Sequence, residues 1–256
     1  MDIDYKTMII QISQVVWPMP RISGLFLTMP VISSVLIPVR VRVIIAMAFS
    51  FLLSSFVPTS LTLEHFNGYY LIYLAFELLL GLMMGFVLQM VFQVFVIGGQ
   101  IIAMQAGLGF ATMIDPASKA SVPLISQFYL LMVSLMFLAL NGHLAVFELF
   151  FNSFTLLPIG SVPVELSDIG RVLIFSGWMM KESVLVALPA ILALLVISLA
   201  FGVMTRVAPQ LNIFSIGFPI TLFMGIVILR VSLPGVAAQI ADSLEQGMLL
   251  IKGLLY

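Results

Sequence analysis

The sequence predicts an all-α chain of kinked helices and helical hairpins embedded in a membrane. Three observations carry that expectation. Of 256 residues, 62% are hydrophobic and 8% charged, against roughly 45–50% and about 25% in ordinary soluble domains. Charge-free runs cover 22–39, 43–63, 78–114, 120–147, 183–205 and 207–229, and several exceed the roughly 18–20 apolar residues that a bilayer-spanning helix needs. Prolines then break the first of these runs into short pieces. A compact monomer of 28.1 kDa would expose on the order of 11,000 Å², leaving each charged residue to serve roughly 500 Å² of it. Lipid or partner protein must cover most of that surface.

Charge and composition exclude several functions. A net charge of -1 offers no basic field for nucleic acid and no acidic tail. The absence of cysteine removes disulfides, thiolate metal sites and cysteine nucleophiles together. The opening Met1-Asp2-Ile3-Asp4-Tyr5-Lys6 puts two acids where a secretory signal needs basic residues, so the apolar segments are read as mature structure.

Taken in order, the first apolar segment holds Pro18, Pro20, Pro30 and Pro38, each of which removes an amide donor and crowds the preceding turn, so a kinked entity is expected there. Spans are expected near 10–36, 43–63, 70–97, 122–150, 183–205 and 210–229. Residues 152–182 form the one long polar interruption, with Asn152, Glu165, Asp168, Arg171, Lys181 and Glu182. They predict a loop with a short helix at about 164–176. The last two apolar runs flank Arg206, Pro209 and Gln210, the pattern of a helical hairpin with a tight turn, so the chain divides near residue 182 into parts 1–182 and 183–256. Loop charges give no orientation. Lys6, Arg171, Lys181, Arg230 and Lys252 fall on one side, and Arg40, Arg42, Lys119 and Arg206 on the other.

Glu77, Gly81, Gly85, Gln89 and Gln93 recur every four residues and form one slanted stripe on a helix. Gly81-x-x-x-Gly85 allows close approach of another helix, either within this chain or from another subunit. A carboxylate in such a helix must face protein or water, and helical spacing places no second acid or histidine beside Glu77. Four glycines, 98, 99, 107 and 109, surround Met104, Phe110 and Met113 ahead of the Asp115-Pro116 turn. Irregular backbone at membrane depth survives only inside protein or beside a watery cavity. Two readings stand: a mobile pore-lining or plug segment with soft apolar stoppers, or a glycine-rich helix contact followed by a loop. At the hairpin tip, Arg206, Pro209, Gln210, Asn212, Gly217 and Pro219 interrupt the helices. Arg206 is placed to donate to open carbonyls at the end of its helix.

No enzyme signature is present. Gly107-x-Gly109 is followed by Thr112 where a dinucleotide fingerprint needs glycine, and His65 and His143 lack ligands at metal spacing. Ser118, Lys119 and Ser121 read as a solvated turn. No catalytic, cofactor or metal residue is expected.

The stretch from Gln105 to Pro116 and the stretch from Arg206 to Pro219 resemble the FliR family of flagellar type III export-gate proteins. The resemblance runs through roughly residues 10–235, with Arg21 and Pro30 in the proline-rich opening, Ile37-Pro38-Val39-Arg40, Glu77 with Gly81 and Gly85, and the polar loop before the hairpin. It implies a single copy assembled with five FliP and four FliQ subunits, beside FlhB and FlhA, in the inner membrane of the bacterial flagellar basal body. It also implies a FliP-like part up to about residue 182, a FliQ-like hairpin after it, and helices rising out of the membrane plane. The Gly107 to Pro116 neighbourhood then corresponds to a plug in the closed gate. The function implied is passage of unfolded rod, hook and filament proteins, without cofactor, nucleic acid or chemistry of its own. A small-solute transporter or channel is the alternative from another class. Its mark would be paired intramembrane charges around a broken helix.

Overall fold

A computed structural model describes residues 5–33, 37–54, 68–108, 123–160, 165–207 and 213–255. They form eight helices in chain order: α1 (Tyr5–Val16), α2 (Met19–Thr28), α3 (Val39–Leu53), α4 (Gly68–Gln105), α5 (Leu124–Ala139), α6 (Gly142–Leu156), α7 (Leu166–Val207) and α8 (Ile213–Leu255). The all-helical expectation holds, with no strand among the described residues. Among the described residues, three helices are long and apolar enough to cross a membrane, or four if α5 and α6 together make one bent span.

Six spans had been expected, and the difference lies in the first half. The segment 10–36 is broken at Trp17-Pro18 into two helices of 12 and 10 residues, because Pro18 and Pro20 are placed where a helix can start but not continue. The 15 residues of α3 reach about 22 Å, short of the roughly 30 Å of hydrocarbon.

The polar stretch 152–182 is also not the loop expected. Helix α6 runs on to Leu156, and α7 continues from Leu166 without interruption to Val207, so residue 182 lies inside a helix. The polar side chains are accommodated on its surface. The Glu165 amide donates to Asp168 Oδ2 at 3.1 Å, the return half of a capping box, and Asp168 sits in the first turn, where the helix dipole favours an acid. Arg171 Nη1 donates to Gly253 O at 2.7 Å near the end of α8, which extends through what reads in the sequence as a tail. Pro189 lies within α7, and Pro219 and Pro234 within α8.

The chain forms two compact units that interleave along the sequence: residues 1–90, 141–176 and 244–256 in one, and 91–140 and 177–243 in the other. In the first unit, Ile22, Leu25, Leu80, Met84 and Val87 are buried where α2 and α4 meet. Phe26 meets Phe49 edge-on at 5.5 Å, and Phe49 stacks on Phe147 at 5.5 Å, which joins α2, α3 and α6 through aromatic contacts. Ser50 Oγ donates to Val15 O, tying α3 to α1. In the second unit, Phe92, Tyr129, Phe137, Ala187, Ala190 and Ile240 are buried, with Phe92 edge-on to Phe137 at 5.5 Å.

Candidate functional site

The most constrained group of polar atoms lies in the first unit. Arg21 on α2 is fully buried, and Glu77 on α4 is 1% exposed. Arg21 Nε donates to Glu77 Oε2 at 2.6 Å. Its Nη1 donates to Ser153 O at 2.9 Å and Ser153 Oγ at 3.1 Å, and its Nη2 to Leu157 O at 2.9 Å. Ser153 Oγ in turn donates to Phe150 O at 2.6 Å, and the guanidinium lies 4.3 Å from the Phe154 ring centre. One cation therefore ties α2 to α4 and takes up two carbonyls at the end of α6, where a helix has no internal donors left and its dipole favours positive charge. The planar fork of arginine suits this geometry, and a lysine has no equivalent. Glu77 Oε1 is buried with no hydrogen-bond partner among the described residues.

The sequence picks out Glu77 but not its partner. Helical spacing looks only along one helix, and Arg21 approaches from another, 56 residues away. The available signal is that a lone arginine and a lone glutamate in otherwise apolar segments each need a counterion. The pair also meets the mark set for a solute carrier, a charge pair beside a broken helix. Its burial argues for a structural clamp instead, since arginine and glutamate are both closed to solvent and the arginine is directed at fixed backbone carbonyls.

Gly81 and Gly85 lie against α2 of the same chain. A Cβ at Gly81 would fall on the carbonyl oxygen of Arg21, and one at Gly85 on Thr28 Oγ1 and within 2.9 Å of Leu25 O. Gly24 answers from α2, where a Cβ would collide with Leu78 O. Thr28 Oγ1 is shared between Gly24 O at 3.1 Å and Leu82 O at 3.2 Å. Two backbones in direct contact are the physical reason for small residues at this spacing, and they set Arg21 one turn from Glu77. Gln89 continues the stripe half-buried, its Oε1 without a partner among the described residues.

In the second unit, α4 runs unbroken past Gly98 and Gly99. A Cβ at Gly98 would stand 3.0 Å from Val186 Cγ1, and one at Gly99 2.9 Å from Ser126 Cα. Gly107 ends the helix with φ of 83°. Its amide bonds Met104 O at 3.2 Å, and the Leu108 amide bonds Ala103 O at 2.9 Å, the paired bonds of a Schellman cap. Met104 is 65% exposed. Gly109, Phe110, Met113, Asp115 and Pro116 lie outside the described residues, as do Pro209, Gln210 and Asn212 at the hairpin tip. Arg206 is exposed in the last turn of α7, and its side chain makes no hydrogen bond among the described residues; Gly217 is buried and Pro219 exposed, both within α8.

The cap yields a prediction. Replacing Gly107 by alanine imposes a left-handed strain of about 1 kcal/mol or more and brings a Cβ to 3.2 Å from the Phe218 ring. Gly107→Asn should lose less, because asparagine tolerates that conformation. Thermal midpoints of the detergent-solubilised variants, ordered glycine, asparagine, alanine from highest to lowest, are the expected result.

Clamp, glycine contact and long apolar helices define an integral membrane subunit built for helix packing, with no cluster of potential metal ligands among the described residues. Residues 12–247 match the family model described as bacterial export proteins, family 1. The flagellar biosynthetic protein FliR of Escherichia coli K12 is 35% identical over 227 residues, 86% of this chain and 84% of that protein. The FliR of Aquifex aeolicus is 34% identical over 216 residues, 84% and 83% of the two chains. That of Buchnera aphidicola subsp. Baizongia pistaciae is 30% identical over 231 residues, 90% of each. The chain belongs to the FliR family of bacterial export proteins. It is an export component and not an enzyme.

Proposed function

We propose that this chain is the subunit of the flagellar protein export apparatus that closes the ring at the mouth of the export channel. Membership in the family supports a role in flagellar export. The observation that carries the subunit reading further is the state of the last two helices. Within this chain the most apolar stretch of α7 is 22% buried and that of α8 only 11%, against 44% for α4. Surfaces of that size and apolarity require a cover from outside the chain.

In this reading the partners are FliP in five copies and FliQ in four, next to FlhB and FlhA, in the bacterial inner membrane, and the cargo is unfolded rod, hook and filament protein. The part before about residue 182 corresponds to FliP and the later hairpin to FliQ. The segment from Gly107 to Pro116 serves as the plug: Gly107 supplies a defined hinge at the end of α4, and the apolar residues after it exclude ions by dewetting the constriction.

The test uses a bacterium whose own copy of this subunit has been deleted. Expression of the chain should restore flagella, and the chain should purify with two other hydrophobic proteins in a fixed ratio. Purification as a monomer would overturn the reading. Deleting residues 107–113 should leave the complex intact but raise small-ion conductance across the membrane. A deletion complex as tight as the parent would assign this segment to packing.

A further inference from the structure

One stretch of α8 is jointed at both ends and flanked by cavities on two sides. Proline cannot donate to the carbonyl four residues before it, so each proline inside a helix leaves a place where the backbone bends. Pro219 and Pro234 lie within α8, and Pro189 lies within α7. In the second unit, Gln239 Nε2 donates to Glu182 Oε2 at 3.0 Å, which sets the antiparallel register of the two helices. Pro189 and Ser232 keep that register further along, where both line a cavity of about 510 Å³. Pro234 then stands level with Ala187, two residues from Pro189. Both helices are released at one level of the hairpin, and neither splints the other there.

On the far side of that level from the tip, the hairpin is anchored. Ser183, Val186 and Ala187 on α7 are buried, as are Val236 and Ile240 on α8. Toward the tip, residues 219–234 of α8 have thin support. The cavity of about 510 Å³ opens against Val227 and Val231 on one side of this stretch. A second cavity, of about 560 Å³, lies on another side, between Leu222 and Leu229 of α8, Ile125 and Phe128 of α5, and Ala106 just past the end of α4. Packed interiors hold few gaps larger than a water molecule. A helix with two such cavities beside it gives up little dispersion energy when it shifts, the physical content of low local stability.

The stretch nevertheless bears on the end of α4. Gly225 is buried, and a Cβ there would stand 2.8 Å from Ala106 Cβ. A Cβ at Gly107, whose φ of 83° ends α4, would stand 3.2 Å from the Phe218 ring. The hydroxyls of Thr221 and Ser232 donate within α8 itself, to Phe218 O and Leu229 O, each at 3.0 Å. Both touch points are therefore van der Waals contacts, each atom pair weak and undirected, which lets one surface slide over the other. Any displacement of the stretch reaches Ala106 and Gly107 first.

We propose that residues 219–234 of α8 act as a lever, pivoting at its two prolines and bearing through Phe218 and Gly225 on the end of α4, and that export requires the lever to move. The proposal rests on the reading of this chain as an export subunit. The chain has no cysteine, so Ala106→Cys combined with Gly225→Cys adds a single pair at the contact, close to the Cβ separation of about 3.8 Å that a disulfide needs. The full chain carrying both is assembled under reducing conditions in cells that lack their own copy, and is then oxidised. Disulfide formation should lower secretion of flagellar protein at least tenfold with the complex unchanged on native gels, and reduction should restore it. Either single-cysteine variant should be indifferent to the oxidant. Undiminished secretion from the bridged complex, failure of the pair to bridge, or equal inhibition of a single-cysteine variant would overturn the proposal. If the reduced pair does not export, Pro234→Ala decides: restoring the missing backbone bond should slow secretion severalfold at equal amounts of complex, and secretion at the parent rate would overturn the lever. Failure of the underlying reading looks different, because the unaltered chain would then restore no export at all.

Discussion

Arg21→Ala should be the most damaging single substitution in the first unit. It removes one cation and takes the donor from four acceptors at once: Glu77 Oε2, Ser153 O, Ser153 Oγ and Leu157 O. Breaking one side of a buried ion pair costs about 3–5 kcal/mol, because the remaining charge is left uncompensated. That is a large part of the total stability of a typical domain, about 5–15 kcal/mol. The variant should fall to a small fraction of the normal level in the membrane and be cleared by proteolysis. Arg21→Lys should fail nearly as badly, since an ammonium cannot reach Glu77 and the end of α6 together. The diagnostic variant is the double replacement Arg21→Met with Glu77→Leu, which removes the stranded charge and should recover much of the loss. Quantitative blotting of the four members of that cycle, with thermal midpoints in detergent, reads the coupling. Equal levels for Arg21→Ala and the parent would show that the clamp contributes nothing to the fold.

Gly81→Ala is the second large effect expected, and a methyl group is enough to produce it. The added Cβ would overlap the Arg21 carbonyl oxygen, with Leu25 N at 3.0 Å. Because the obstacle is backbone, α2 as a whole has to move, and with it the guanidinium that reaches Glu77. Overpacking of this kind costs about 1–3 kcal/mol, occasionally more. Loss of the complex on native gels is expected for Gly81→Leu and Gly85→Leu, and a clearly reduced yield for Gly81→Ala. Gly170→Ala and Gly177→Ala serve as controls, since a Cβ at either position meets nothing within 4 Å and both lie inside α7, where alanine is the better helix former. Normal complex yield for Gly81→Leu would refute the contact.

The sequence by itself determined the class of structure, because that depends on quantities summed along the chain. Low charge and long apolar runs require a membrane or a protein cover wherever the helices lie. That prolines interrupt the first apolar segment was also legible, since proline acts on its own turn, but the segment read as one kinked span near 10–36 and not as two separate helices. The recurrence of Glu77, Gly81 and Gly85 every four residues marked a helix face, and in the fold both glycines lie against α2. Its partner was not legible, because the surface that Gly81 meets is the carbonyl of Arg21, and a backbone atom leaves no side-chain pattern to read. The same holds for the end of α6, where Arg21 is recognised by two carbonyl oxygens.

Only the tertiary structure decided how the polar residues of 152–182 are used. Read locally, Asp168 and Arg171 fall on a short helix and Lys181 and Glu182 in a loop. In the fold each lies on one continuous helix, with Arg171 bonded to Gly253 O and Glu182 to Gln239. Those partners lie 82 and 57 residues away, beyond the reach of any periodicity. A charge's place in a sequence gives its distance along one helix, but its environment is fixed by what stands beside that helix, and that is settled only when the chain has folded back on itself.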